Sequence, residues 1–475
     1  DGTKMAAIYE GVLAVWPVSS IGQPLGPPRH ITSESAHSPS WQGDSRHILY
    51  QSLDKLRVID IETGETRTVP VDLKWTPAIP TTKLVVHAGK LLDMKTAAEQ
   101  TNVDILIDGN KITGVGPHAD ANSAGRQVVD ASNLTVMPGL TEFHSHLQPD
   151  FGESEGRAFL AFGITTVRSP GNTPYEPVEE REANEAGIRP GPRVFGTGNL
   201  MEWQRVYYKM GIAISSPAHF EMELQRAKAL QYDLLKSYVR LPDLQQKRMV
   251  EFAHSIGIPV ATHEIYPAAF VGVDNTEHTS ATSRRGYSPK MATLQRAYDD
   301  VVQLFGKSGR YLTPTMFGAG RLVFEREPDL KNDPRFKLYP QWIQDEVANQ
   351  PSGAPPSPGN GKMVIDVMHA GGVIVAGTDT PNAINLHGEL MSYVQAGMST
   401  FDALKTATVN PARALNVDTG TIEAGKLADL IVVEGDPLAD ITSAHRVRRV
   451  IANGRVYEMS DLLKRAAPVR TTTSR

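Results

Sequence analysis

Two patterns of apolar and polar positions divide the chain. Up to about residue 75 the apolar positions recur with period two, as a half-buried strand requires. "RHILYQSLDKLRVIDIETGETRTVPV" alternates in this way and carries an "ETGE" turn, while "TKMAAIYEGVLAVWPVSS" is rich in β-formers and runs into Gly- and Pro-containing turns. The stretches "DGTKMAAIYEGVLAVWPVS" and "GDSRHILYQSLDKLRVIDI" share a turn, a strand, a short break and a second strand. Their offset is about 42 residues, the spacing of propeller blades. A propeller needs about four blades or more, and residues 1–75 supply fewer than two. The expectation is an N-terminal all-β propeller fragment whose remaining blades lie upstream in a longer chain. The alternative is a small β-appendage packed on its neighbour.

"KWTPAIPTTK" is rich in Pro and Thr and reads as a linker. Short strands follow in "KLVVHAGKLLD", "VDILIDGNKITGVG", "QVVDAS" and "LTVMPGL". From Val136 apolar strands alternate with amphipathic helical stretches such as "HFEMELQRAKALQ" and "DLQQKRMVEFAHSIG". The pattern predicts strands near 136–142, 163–168, 193–197, 233–237, 259–263, 274–277, 311–315 and 373–378. Eight such units predict an α/β fold, a closed (β/α)8 TIM barrel over 136–415. An open doubly wound sheet is the alternative, but no Gly-rich dinucleotide fingerprint follows a strand. "GKLADLIVVEGDP" and "RRVIANGRVYE" return to short strands, so residues 84–135 and 416–458 are expected to form one composite β-sandwich from both sides of the barrel. "PSGAPPSPGNGK" reads as a loop, either a surface connection or part of a lid, and "KRAAPVRTTTSR" as a frayed polar tail.

Composition narrows the chemistry. A net charge of -5 on 475 residues argues against a nucleic-acid binder. No stretch approaches the apolar length of a membrane span. With no cysteine, disulfides and thiolate ligands are excluded. A transition-metal site must then use His, Asp, Glu or a modified side chain.

In a barrel of this kind the chemistry sits at the C-terminal ends of the strands. Strand one runs out into His144 and His146, a pair that shares one face. Strand four ends at Lys236, strand five at His263, strand six at His278 and strand eight at Asp379. Each residue alone has an ordinary reading as a surface histidine, a solvated cation or a turn aspartate. Together at one rim they suggest a metal centre, because neutral imidazole and carboxylate suit Zn2+ and similar ions. An unmodified Lys236 would repel a cation. Carbon dioxide added to its amine gives a carbamate, an anion able to bridge two metals. A hydroxide held between them is a nucleophile at neutral pH, and Asp379 could take its proton and pass it to the leaving group.

The motifs "MPGLTEFHSH", "GITTVRSPG", "GPRVFGTG", "LLKSY", "ATHE", "EHTS", "AGTDTP" and "HGELMSYVQAGMSTFDALKTATVNPARALNVDTGTIEAGKLADLIVVEGDPLADI" resemble those of the amidohydrolase superfamily. The likeness is to its prolidase-like and imidazolonepropionase-related branch and covers residues 84–458. It implies that His144 and His146 bind a first divalent ion and His263 and His278 a second, with carboxylated Lys236 bridging. Asp379 would complete the first site and act as general acid/base. The implied activity is hydrolysis of amide, peptide or cyclic amide bonds in a small molecule or short peptide, with a dipeptidase among the candidates. A mononuclear hydrolase or deaminase using His144, His146, His263 and Asp379 is the alternative. A non-catalytic, propeller-linked binding protein is a third reading.

"HSPSWQGDSRHILYQS" resembles the TolB-type propeller motif, except that its turn reads Gly43-Asp44. That fusion implies a periplasmic or secreted protein, with a cytoplasmic one as the alternative. The oligomeric state stays open, a homo-oligomer included. Two departures from the family concern the substrate side: Ser169 stands where relatives have Asp, and "MEWQRVYYKM" replaces a Gly-Gly-His loop. Tyr238 and Arg240 could hold a substrate carboxylate or lie in a solvated loop. His387 matches a family position near the rim and is either substrate-facing or structural.

Overall fold

The strand Leu430–Val433 is apolar at all four positions because both of its faces are covered. Leu430 and Val432 enter a core with Leu84, Val86, Ile105 and Ile107. Ile431 and Val433 enter a larger core built on Leu140, Phe159, Ile164, Leu312 and Ile374. One strand therefore ties an all-β layer to an α/β layer.

The computed structural model describes residues 1–206, 208–279, 289–349 and 356–464. The loop expected at 351–362 is described only from Pro356, and the tail from 465 onward lies outside the described residues. The chain divides into two units. One comprises Asp1–Trp75, Gly171–Val178 and Gly196–Val260, and the other Thr76–Pro170, Glu179–Phe195 and Ala261–Arg475. Among the described residues no helix is long and apolar enough to cross a membrane.

In the larger unit the all-β layer is one mixed seven-stranded sheet. Its order is Lys111–Pro117, Gln100–Asp108, Lys83–Leu91, Gln127–Pro138, Leu430–Val433, Val447–Ala452 and Arg455–Glu458. Strands from both ends of the α/β region thus share one sheet, and a bridge between Lys111 and Leu427 joins its two arms. The long strand Gln127–Pro138 turns the corner. It pairs in parallel with Lys83–Leu91, shifts register after Ala131, and then pairs antiparallel with Leu430–Val433.

The α/β layer follows directly. Leu140–Glu142 pairs in parallel with Ile164–Ser169 across the helix Glu153–Ala161. Asn275–Glu277 pairs in parallel with Tyr311–Thr313, which pairs with Val373–Ile374. The helices Asp299–Ser308 and Pro358–His369 precede those last two strands. Strand one also meets strand eight, since the Phe143 N–H donates to Ala376 O at 3.0 Å. Each strand-end segment therefore delivers its next residues to the same side.

In the smaller unit the N-terminal residues form two antiparallel sheets. One has three strands, Lys4–Tyr9, Val12–Pro17 and Arg29–Ser35; the other has four, His37–Trp41, His47–Ser52, Lys55–Asp60 and Thr66–Val69. Both contribute to one core around Leu13, Val15, Ile48, Tyr50 and Ile59. The helix Pro217–Ala229 starts on Ser216, whose hydroxyl accepts the His219 N–H at 3.1 Å, with Pro at its first turn. Its Arg226 donates to the Ser35 hydroxyl and to Glu223. Leu235–Lys236 and Asp243–Ser255 follow.

All eight strands expected between 136 and 378 are present, most of them shorter than the apolar runs that announce them. The stretch expected as a loop near 201–210 is flanked by a parallel pair, Leu200–Trp203 with Gly211–Ile214. Its Leu200 and Met201 are buried, which the isolated apolar pair does not reveal without its partner strand.

Candidate metal centre

Strand one delivers His144 and His146 from consecutive same-face positions, and strand eight returns Asp379 beside them. The Asp379 N–H donates to His144 O at 2.6 Å, which fixes the two strand ends side by side. The Asp379 carboxylate lies 3.5 Å from His144 Nε2, 3.2 Å from His146 Nε2 and 3.9 Å from His278 Nε2. One donor atom each from His144, His278 and Asp379 falls within a 4.8 Å group. His263, at the end of Val260–Thr262, adds its ring 4.4 Å from that of His278.

The far side of two of the rings is already committed. His144 Nδ1 lies 2.7 Å from Glu277 Oε2. A carboxylate only accepts, so His144 carries its proton on Nδ1 and leaves Nε2 for a ligand when it is neutral. His278 Nδ1 is hydrogen-bonded to the Thr315 hydroxyl, which leaves its Nε2 toward Asp379 in the same way. Glu277 is wholly buried and its other oxygen accepts from Arg168 Nη2 at 3.0 Å and Asn275 Nδ2 at 2.7 Å. Arg168 in turn donates to Phe143 O at 2.8 Å and lies over the Phe143 ring. Glu142 accepts from the His144 and Thr378 N–H groups at 2.8 and 3.0 Å and from the Thr378 hydroxyl at 2.9 Å. It thus clamps strand one to strand eight behind His144 and Asp379.

These contacts hold an unusual backbone. His278, Thr315 and Asp379 have φ of 63°, 47° and 58°. Non-glycine residues in this region cost about 1–3 kcal/mol each, most for β-branched Thr. The His278 N–H to Thr313 O bond at 2.7 Å and the Asp379 bond to His144 O oppose that cost. The left-handed turns swing the side chains off the strand ends toward one another.

The electrostatics follow from this packing. Burial alone would raise the Asp379 carboxyl, but His144 and His146 outweigh it and hold it well below the ordinary carboxylate value. Burial would lower His144, yet Glu277 and Asp379 raise it. Burial pushes Glu142 up to about 8 despite its three donors.

Lys236 and Tyr238 belong to the smaller unit, and both are buried. Arg240, in the same unit, pairs with buried Glu202 at 2.8 Å and is not a solvated loop cation. His387 lies buried in Ile384–Gln395, its Nε2 2.9 Å from Phe162 O and its ring against that of His445. Ser169 is buried and its hydroxyl accepts the Leu147 N–H at 3.4 Å.

Sequence reasoning missed Glu277, Arg168, Glu142, Thr315 and Phe317. Phe317 is 45% exposed and stacks on the His278 ring at 5.4 Å and 25°. A signal for Glu277 was present: "NTEHT" is polar throughout yet stands where a buried strand must be.

Comparison with known proteins agrees with this geometry. The profile described as "Amidohydrolase family" matches residues 135–457. The dihydroorotase of Streptococcus thermophilus is 35% identical over 96 residues, 19% of this chain and 22% of that protein's length. The chain therefore aligns with less than a quarter of that relative. The dihydroorotase of Aquifex aeolicus is 23% identical over 400 residues, 74% of this chain and 89% of its own. Among solved structures, a Xaa-Pro dipeptidase with methionine bound in its active site superposes with a TM-score of 0.63 at 23% identity. That alignment covers 79% of this chain and all of the dipeptidase.

Proposed function

The chain belongs to the amidohydrolase family, and from that premise we propose that it is a metal-dependent hydrolase of amide, peptide or cyclic amide bonds. The observation that carries the reading is the convergence of the His144, His146 and His278 Nε2 atoms on the Asp379 carboxylate. The donors fit a divalent ion such as Zn2+, because the imidazoles offer Nε2 with Nδ1 tied off at His144 and His278. His144, His146, His263, His278 and Asp379 would hold the metal. Lys236, as a carbamate, would join them and bridge a second ion. Its support is its buried position at the end of the strand Leu235–Lys236. When bound, the metal polarises the scissile carbonyl and lowers the pKa of a coordinated water.

The chain's own residues then have defined tasks. Glu277 holds the tautomer of His144, and Thr315 the orientation of His278. Asp379 accepts the proton of the attacking water and returns it to the leaving nitrogen. Its depressed pKa comes from protonated His144 and His146. Phe317 presents an aromatic face beside His278 to an apolar part of the substrate. Tyr238 and Arg240 would act through the smaller unit, Arg240 by exchanging Glu202 for a substrate carboxylate.

The proposed architecture is a (β/α)8 barrel over 136–415, a composite β domain from 84–135 and 416–458, and a TolB-like propeller fragment over 1–75. The parallel strand pairs and the bond between Phe143 and Ala376 support the barrel. The four-stranded antiparallel sheet supports the blade reading.

The test is metal analysis of the purified protein followed by a screen of dipeptides, N-acyl amino acids and lactams. The expected result is one or two divalent ions at this centre and turnover of at least one class, abolished by Asp379→Ala. A folded protein that takes up no metal at this centre when Zn2+ is supplied would overturn the reading. Two ions per chain at this centre support the Lys236 bridge, and one ion supports the mononuclear form.

A further inference from the structure

We propose that His87, Asp104 and His118 form a second metal site, for one divalent first-row transition ion, on the face of the seven-stranded sheet turned away from its core. The sheet brings the three together by register. His87 on Lys83–Leu91 is the direct cross-strand partner of Asp104 on Gln100–Asp108. Leu84, Val86 and Ala88 and their partners Val103, Ile105 and Ile107 fill the core, so His87 and Asp104 point to the opposite face. His118 follows the next strand, Lys111–Pro117, and its N–H is fixed to Asn102 O at 2.9 Å.

The donor geometry is that of a coordination edge. His87 Nδ1 and His118 Nδ1 lie 3.0 and 2.9 Å from the same oxygen, Asp104 Oδ1. Metal–ligand bonds of about 2.1 Å at right angles put neighbouring donors about 3.0 Å apart. The two rings lie 3.9 Å apart at 45°, both turned to that oxygen. Asp104 is 2% exposed, and its other oxygen accepts from the Ala119 N–H at 3.1 Å and Asn122 Nδ2 at 2.9 Å. The carboxylate is thus held with Oδ1 facing the histidines.

The surroundings favour a cation. Asp120 Oδ1 lies 3.6 Å from His118 Nε2, on the far side of the ring from Asp104. When Nδ1 binds an ion the ring proton sits on Nε2, facing Asp120, the arrangement that strengthens an imidazole ligand. Asp130 is the register partner of His87 on the neighbouring strand. Two nitrogens and one oxygen without sulfur select Ni2+, Co2+ or Zn2+ over Mg2+ or Ca2+, which want oxygen. His87 and His118 are both partly exposed, which leaves a path for the ion and for water in the open positions.

The experiment is Ni2+ titration of tag-free, chelator-treated protein by equilibrium dialysis, with bound metal counted per chain and melting followed in parallel. The comparison is with the double variant His87→Gln, His118→Gln, which leaves His144, His146, His278 and Asp379 intact. The wild type is expected to bind one equivalent more than the variant and to melt higher with Ni2+, a rise the variant lacks. Equal stoichiometry and equal response to Ni2+ would overturn the proposal, and would leave the trio a hydrogen-bonded clasp only. If the double variant does not fold, His118→Gln alone decides, because His118 is exposed. It is expected to weaken the extra equivalent at least tenfold, and unchanged affinity counts against the site.

Discussion

Glu277 receives the Nδ1–H of His144 at 2.7 Å from a strand 133 residues further along the chain. The same carboxylate neutralises buried Arg168 at 3.0 Å. One side chain therefore orients a candidate ligand and pairs a buried guanidinium behind it. Glu277→Gln leaves Arg168 without its counter-ion, and breaking one partner of a buried pair costs about 3–5 kcal/mol. It also leaves a single neutral acceptor oxygen where the carboxylate offered two, which weakens the support of the His144 ring, and loss of such support lowers metal affinity by about 10–100-fold in comparable sites. The expected outcome is a protein that unfolds at lower urea and holds less metal at equal free Zn2+. Unchanged metal affinity would show that His144 needs no support from Glu277.

Asp379 is the residue on which three imidazoles converge, and it is also the proposed proton carrier. Asp379→Asn keeps the shape and one acceptor oxygen but removes the charge and the basic site. Loss of positioned acid–base catalysis costs about 10²–10⁴-fold in rate. We expect turnover to fall by that factor while part of the metal is retained, measured by elemental analysis and initial rates on the same preparation. A variant with full turnover would remove Asp379 from the chemistry.

The residues of the candidate centre were legible in the sequence because each is a polar break at the end of an apolar run, and strand ends are where a parallel α/β layer presents its side chains. His144, His278 and Asp379 meet as that pattern predicts. Their supports were not legible. Arg168 and Glu277 are 109 residues apart, and Thr378 and Glu142 are 236 apart. Beyond the polar run around Glu277, nothing local says which distant residue each of them meets. The motif around His387 left its role open for the same reason. The contact that defines it, to Phe162 O, spans 225 residues.

Phe317 follows Thr315 and lays one ring face on His278 while the other stays in solvent. An aromatic face beside the candidate metal centre gives an apolar substrate group a place to bury. Phe317→Ala removes surface worth about 1–2 kcal/mol, a factor of about 5–30. The expected change is in KM for substrates with an apolar group next to the cleaved bond, with kcat nearly constant. Equal losses across apolar and polar substrates would mean that Phe317 only positions His278.

His387 gives the fold a pH dependence that can be isolated from the metal centre. Burial, followed by the nearby charges of His445 and Arg335, lowers its pKa from 6.5 to about 3, although the bond to Phe162 O raises it. Between those values the unfolded chain binds a proton that the folded chain refuses. Stability therefore rises with pH across this window, by at most about 1.4 kcal/mol per pH unit from this group. It is fully present above pH about 6.5 and is lost as the pH falls below it. His387→Gln can keep a donor to Phe162 O but does not titrate. We expect urea unfolding of the variant to show a smaller loss of stability between pH 7.5 and 4.5 than the wild type, even if the variant is less stable at neutral pH. Parallel pH profiles for the two proteins would place the acid sensitivity elsewhere.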